Sequence, residues 1–293
     1  MFHGGTNFGF MGGATTLNGY HPMVTSYDYG ALLTEDGEYT PEFLIYQEFF
    51  SNVLPAHTRQ LRVHPKAVYN PVKPTHYLSL WDLVPYLDTT VESHVPINME
   101  NLPINQGSGQ SYGFILYETS ICSGGLLHAR VHDTAQVFLD TMYVGVLDHS
   151  TKQLLSPKSR DCPYLRILVE NQGRLAYGPN INKERKGLTG DIYLNNSPLR
   201  RFAIFCLDMK MKFIEYLGLR AGPSPKDTFL RLPNWNYGVV FINGRNLGRY
   251  WYIGPQETLY LPGVWLHPED NEIIVFEIMM NGLVIETTDK PKL

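Results

Sequence analysis

A length of 293 residues suits about two domains. With 43% hydrophobic residues, the composition excludes a disordered chain. A formal net charge of −4, with basic residues only in short clusters such as Lys183–Lys186, argues against nucleic acid as a main partner.

No stretch reaches the ~18 consecutive apolar residues of a membrane helix. Residues 1–30 have neither the basic nor the apolar region of a secretory signal. No membrane partner is therefore expected, and the compartment stays open.

The chain opens MFHGGTNFGFMGG, glycine-rich and aromatic, and soon reaches TSYDYG, where Tyr27, Asp28 and Tyr29 stand side by side. Gly5, Gly9, Gly12 and Gly13 do not read as a phosphate loop, because no Gly-Lys-Ser/Thr follows and no helix pattern starts after them. Rings beside a carboxylate suit a sugar, whose faces stack on aromatics and whose hydroxyls bond to acids and amides. Core packing with a satisfied hydroxyl is the competing use of any tyrosine.

Residues 41–54, PEFLIYQEFFSNVL, predict a helix with Phe43, Tyr46, Phe50 and Leu54 on one face. Thr40 suits the N-cap and Pro41 the first helical position. Glu42 favours the positive helix end, and Pro55 marks the stop.

Residues 55–92, punctuated by prolines, read as connecting chain. From about residue 93, short β runs alternate with turn residues. In HARVHDTAQVFLD, the positions Ala129, Val131, Ala135, Val137 and Leu139 point to one buried face. His128 and His132 fall on one strand face beside Asp133. A zinc site needs three or four converging ligands, and no motif supplies the rest, so the two read as surface or cleft histidines. No metal and no cofactor is expected. Cys122, Cys162 and Cys206 form neither a disulfide framework nor a CxxC pair. One bridge at most is allowed, and buried free thiols are preferred. No G-x-S-x-G element supports a serine nucleophile.

An internal echo follows. VFLDTMYVGVL at 137–147 resembles VFINGRNLGRY at 240–250, and ILVE at 167–170 resembles IVFE at 274–277. Each reads as a strand, a tight turn and a returning strand, with Asn243-Gly244 suited to a two-residue hairpin turn. Two related β domains in tandem account for both echoes.

MFHGGTNFGFMGGA followed by TSYDYGALLTEDGEYT closely resembles the retaining β-galactosidases of glycoside hydrolase family 35. GQSYGFILYET, LVENQGRLAYG, KGLTGDIYL, INGRNLGRYW and GPQETLYLPGVWL extend the resemblance over nearly the whole chain. The resemblance implies a mainly β fold: two tandem jelly-roll, galactose-binding-domain-like β-sandwiches, preceded by the last strand and helix of a truncated TIM barrel. The corresponding segments are 1–58 (barrel remnant), 59–92 (linker), 93–207 (first jelly roll) and 208–293 (second, galactose-binding-like).

In such enzymes two glutamates cleave a terminal β-galactoside, and a retaining mechanism needs their carboxyls about 5–5.5 Å apart. The resemblance places both upstream of residue 1. Glu35, Glu38 and Glu42 fall in the post-strand loop and helix start, so no catalytic residue is assigned to this chain, and it is expected to be inactive alone. Tyr29 is the one position matching a galactose contact. Gly30 and Leu32 depart from the family pattern, which implies a looser loop.

The implied partners are a terminal β-galactoside or galactose, bound at most weakly, and a full-length relative. A non-catalytic carbohydrate-binding or partner-binding module is the alternative. The family is secretory or lysosomal. A lone barrel strand and helix lack a core. Residues 1–55 are therefore expected to be poorly ordered, or to rest loosely on the first β domain, with the helix face exposed. A family P-A-F-Y segment is skipped near FIEYLGLRAGPSPKDTF, which implies an open edge in the second domain.

Overall fold

The echoing sequences build the same local structure twice. Thr134–Leu139 pairs antiparallel with Met142–Leu147, and Tyr237–Ile242 with Arg245–Trp251. Both pairs break register at equivalent places, between Val137 and Phe138 and between Val240 and Phe241. Asn243 and Gly244 hold φ of +50° and +73°, as a primed two-residue turn requires. The second echo supplies a third strand in each case, Tyr164–Glu170 and Asp270–Glu277, on the other side of the first strand. The registers differ by one residue: Phe138 faces Arg166, whereas its counterpart Phe241 faces Ile274.

The computed structural model describes residues 1–53, 64–87, 90–158, 161–209, 218–220 and 224–293. The fold is mainly β. The chain divides into two units, one of Gly13–Met23 and Leu78–Met209, the other of Met1–Gly12, Val24–Tyr77 and Lys210–Leu293.

In the first unit a six-stranded antiparallel sheet runs in the order Thr90–Ser93, Phe202–Leu207, Phe114–Ser120, Tyr164–Glu170, Thr134–Leu139, Met142–Leu147. A four-stranded sheet contains Gly125–His128 and Gln153–Ser156. Ile115, Tyr117, Val137, Ile167 and Ile204 pack with Leu127 and Leu194 in one core. Ala129, Val131, Ala135, Val137 and Leu139 are all buried, as their alternation predicts. The run is nevertheless two strands, broken at Asp133, because Val131–His132 turns aside to pair with Gly187–Leu188.

The cysteines correct the sequence reading. Cys122 and Cys162 are bridged, and Cys206 alone is free and buried. Pairing of Ser120 with Tyr164 brings the two exposed cysteines together just beyond the paired strands, which no sequence spacing announces.

In the second unit Asp270–Glu277, Tyr237–Ile242 and Arg245–Trp251 form one sheet with Gly218–Arg220, and Thr258–Leu261, Thr228–Arg231 and Glu286–Thr288 form another. Leu230, Val240, Ile242, Leu247, Leu259 and Ile273 make the core, and Tyr69 and Val72 pack against it.

Here a second expectation is corrected. Residues 1–12 and 24–53 belong with this last β unit, not with the first. The helix spans Pro41–Ser51, and its N-cap Thr40 accepts the Phe43 N–H at 3.2 Å. None of its residues is buried: of the predicted face, Tyr46 and Phe50 are exposed, Phe43 is half-buried against Phe2 and Tyr39, and Leu54 lies outside the described residues. About half of the stretch at the skipped P-A-F-Y region, 213–217 and 221–223, also falls outside them.

Candidate functional site

Tyr29 sits at the end of a tightly tied segment. Thr6 and Ser26 form an antiparallel bridge, Tyr27 N donates to Gly5 O at 2.8 Å, and Asn7 N donates to Thr25 O at 2.7 Å. Two glycines make this approach possible. A Cβ on Gly4 would lie 2.6 Å from Asp28 Cα, and one on Gly5 would lie 2.3 Å from the Tyr27 hydroxyl oxygen.

The other side of the segment is also fixed. Thr25 Oγ1 donates to Arg249 O at 2.9 Å, and Ser26 N donates to Gln256 Oε1 at 2.8 Å. Tyr27 is half-buried by this packing, whereas Tyr29 stays 66% exposed. A backbone bond, Tyr29 N to Tyr27 O at 3.1 Å, sets its start. A fixed backbone thus holds an aromatic ring and hydroxyl out in solvent.

The neighbouring carboxylates are engaged. Asp28 Oδ2 accepts the Glu35 N–H at 2.9 Å. Glu35 is 5% exposed, and its Oε1 accepts the Thr6 hydroxyl at 2.5 Å. Burial pushes the Glu35 carboxyl up to about 7, helped by the negative charges of Asp28 and Asp36 and opposed by the Thr6 and Ser26 hydroxyls. Asp36 and Glu38 both hold Lys66, at 2.5 and 2.8 Å. Glu42 lies in the first turn of the helix. Sequence reasoning missed the burial of Glu35, because Thr-Glu-Asp-Gly reads as an exposed turn.

The first unit holds a second polar constellation. Lys186 is fully buried, and its Nζ donates to Asp133 Oδ1 at 2.7 Å, Glu184 Oε1 at 2.7 Å and Tyr20 OH at 3.2 Å. His149 Nε2 lies 3.0 Å from Asp133 Oδ1. The His149 ring stacks between Tyr20 at 4.3 Å and His132 at 4.8 Å. Burial alone would raise the Asp133 carboxyl, but the His149 bond and the Lys186 charge hold it below the ordinary value. Burial and the neighbouring His149 hold His132 down.

His128 is elsewhere, with its ring beside Tyr193 on the four-stranded sheet, so the two histidines paired by sequence spacing are not brought together. Among the described residues, no group of three or more His, Cys, Asp or Glu is arranged to hold a metal.

Three stretches of the chain match known protein families. Residues 1–53 match Glycosyl hydrolases family 35, residues 96–208 the first all-beta domain of beta-galactosidase, and residues 216–271 its galactose-binding domain. The chain belongs to glycoside hydrolase family 35. It is 58% identical over 317 residues to human Beta-galactosidase-1-like protein 3, covering 100% of this chain and 48% of that protein. It is 51% identical over 314 residues to the Rattus norvegicus protein of that name, covering 100% of this chain and 50% of that one. The Beta-galactosidase of Xanthomonas manihotis is 34% identical over 293 residues, or 89% of this chain and 46% of that enzyme. The chain thus spans about half the length of the curated relatives it matches. The two echoing hairpins fall one in each matched β domain of the family.

Proposed function

We propose that this chain is a sugar-recognising part of a β-galactosidase-type protein, that Tyr29 contacts a terminal β-galactoside, and that the chain alone does not cleave it. The observation that carries this reading is the state of the acids around Tyr29. Retaining cleavage requires one carboxyl to attack and a second, about 5–5.5 Å away, to exchange a proton with the leaving group. Here Asp28 and Glu35 hold each other and Thr6, and Asp36 and Glu38 hold Lys66. Each acid is committed to a structural partner. One exposed ring offers stacking area and a hydroxyl, enough for weak binding of galactose or a β-galactoside.

A chromogenic β-galactoside assay tests this. No turnover above buffer is expected. Hydrolysis that disappears in Tyr29→Phe or Glu35→Gln would refute the inactivity.

A second reading is supported by the Pro41–Ser51 helix, whose exposed Ile45 and Phe49 continue into Val53 as an apolar stripe. Such a surface suits a partner with a complementary apolar face, for which a longer relative of the same family is the reading. The Cys122–Cys162 bridge supports an oxidising compartment as the home of the protein.

A further inference from the structure

Tyr20, His149 and His132 stand in a row in the first unit and take no part in the proposed sugar contact. Tyr20 and His149 stack at 4.3 Å and 18°, and His149 and His132 at 4.8 Å and 30°. All three side chains belong to half-buried residues, so protons from solvent reach the imidazoles. Tyr20 comes from the segment Gly13–Met23, which belongs with this unit although the residues on both sides of it do not. At the start of the segment Ala14 N donates to Arg174 O at 2.8 Å, and Ala14 O accepts the Ala176 N–H at 3.0 Å. Near its end the Tyr20 hydroxyl donates to Gly173 O at 2.6 Å, and the Tyr20 ring rests on His149.

The charges around the stack balance one imidazolium and not two. Asp133 is the acid that faces both imidazoles. Its oxygens are taken: Oδ1 accepts from Lys186 Nζ and His149 Nε2, and Oδ2 from Lys186 Nζ and the Gln172 N–H. Glu184 is held by Lys186 and by the Leu175 N–H. Glu100 pairs with Arg174, and Glu170 accepts from Gln172. Asp148, next to His149, closes its own turn on Ser150 and Thr151. Arg185 spends its guanidinium on the Asn182 and Glu184 carbonyls, and His21 bonds to Asn18 O. His132 Nδ1 donates to Arg185 O at 3.0 Å, so its own partner is an uncharged carbonyl. One proton on the pair is thus answered by Asp133. A second sets two cations face to face at 4.8 Å, with Lys186 close by.

We infer that the His132–His149–Tyr20 stack is an acid-opened latch: with one imidazole neutral it closes on Tyr20 and holds the end of Gly13–Met23, and protonation of both imidazoles parts the rings and loosens Tyr20. Imidazole changes its charge between about pH 5 and about pH 8, so the latch works over the mildly acidic range. It stands apart from the reading of Tyr29 as a sugar contact and from that of the chain's inactivity.

Amide hydrogen exchange of the full chain tests the latch. Rates are measured by mass spectrometry and divided by those of unstructured peptide at the same pH. Protection of peptides covering Gly13–Met23 is expected to fall about fivefold or more between about pH 7.5 and about pH 5. The strand Phe114–Ser120 should keep its protection over the same range. His132→Asn keeps a donor for Arg185 O but takes no proton, so it should be protected at neutral pH and show no fall. A wild-type segment that shows no fall, or an equal fall in His132→Asn, overturns the inference. An equal fall in Phe114–Ser120 overturns it too, because it marks general acid unfolding.

A second measurement needs no variant. The ring C–H signals of His132 are followed by NMR in the wild type over the same pH range. Their midpoint is expected to coincide with the loss of protection. A midpoint more than about one pH unit away from that loss overturns the latch, since His132 then titrates without moving the segment.

Discussion

Lys186 closes a run, Lys183-Glu184-Arg185-Lys186, that by composition belongs in solvent, yet its side chain is fully buried against Asp133 and Glu184. Removing one member of a buried ion pair leaves the other charge without compensation and costs about 3–5 kcal/mol. Lys186→Met is therefore expected to lower the unfolding free energy, measured by urea denaturation, by an amount in that range. Adding Asp133→Asn should recover part of the loss, since it removes the stranded charge. Additive losses in the double variant would show that the two residues do not act as a pair.

Glu35 acts with the opposite sign to Asp133. Its carboxyl, raised from 4.5 to about 7, binds its proton more tightly folded than unfolded. Its contribution is full below about pH 4.5, declines as pH rises, and is gone above about pH 7. Asp133, held below its ordinary value, contributes above that value and loses its contribution as the solution becomes more acidic. Urea midpoints for Glu35→Gln should therefore lack the decline between mildly acidic and neutral pH that the wild type shows. A decline of equal size in both proteins would exclude Glu35 as its source.

Neither buried group was legible in the sequence. A charge run and a Thr-Glu-Asp-Gly turn look solvated until distant segments, Asp133 and Tyr20 for one and Thr6 for the other, cover them.

Elements were far more legible than buried charges, because their signals are local. Thr40 and Pro41 announce the helix start through capping and a preset φ. Asn243-Gly244 announces a hairpin because both residues accept positive φ. Alternation located the buried face from Ala129 to Leu139 but not the break at Asp133, where the chain gives up one partner strand for another.

The Cys122–Cys162 bridge was not legible because the cysteines are 40 residues apart and meet only through the pairing of Phe114–Ser120 with Tyr164–Glu170. Closing a loop of that length restricts the unfolded chain by about 4 kcal/mol in the chain-entropy account. Cys122→Ser with Cys162→Ser is expected to lower stability by an amount of that order in chemical denaturation. Cys206→Ser tests the contrast, since that thiol is buried in the core without a partner. Equal stability with and without the bridge would mean that the strand pairing alone supplies the constraint.

At the scale of the molecule, the order of segments was readable from long motifs, but the allegiance of residues 1–53 was not. That stretch matches the hydrolase domain of the family, yet Gly13–Met23 belongs with one β unit while Met1–Gly12 and Val24–Tyr77 belong with the other. Its apolar residues then have two fates. Ala14 and Ala31 are buried, whereas Ile45 and Phe49 of the helix and Val53 just beyond it remain between 62% and 67% exposed. A stripe of this kind, four residues apart, is the pattern an amphipathic helix uses to dock. If the surface is adhesive, the chain alone should show a mass that rises with concentration in light scattering. Ile45→Lys combined with Phe49→Glu should return it to the monomer mass. Because both side chains are exposed, the double variant should shift folding stability by no more than about 0.5 kcal/mol per site. A wild type that stays monomeric at every concentration, or a variant that associates equally, would mean that the exposed stripe does not drive association. Loss of association together with a large loss of stability would mean instead that the stripe supports the fold.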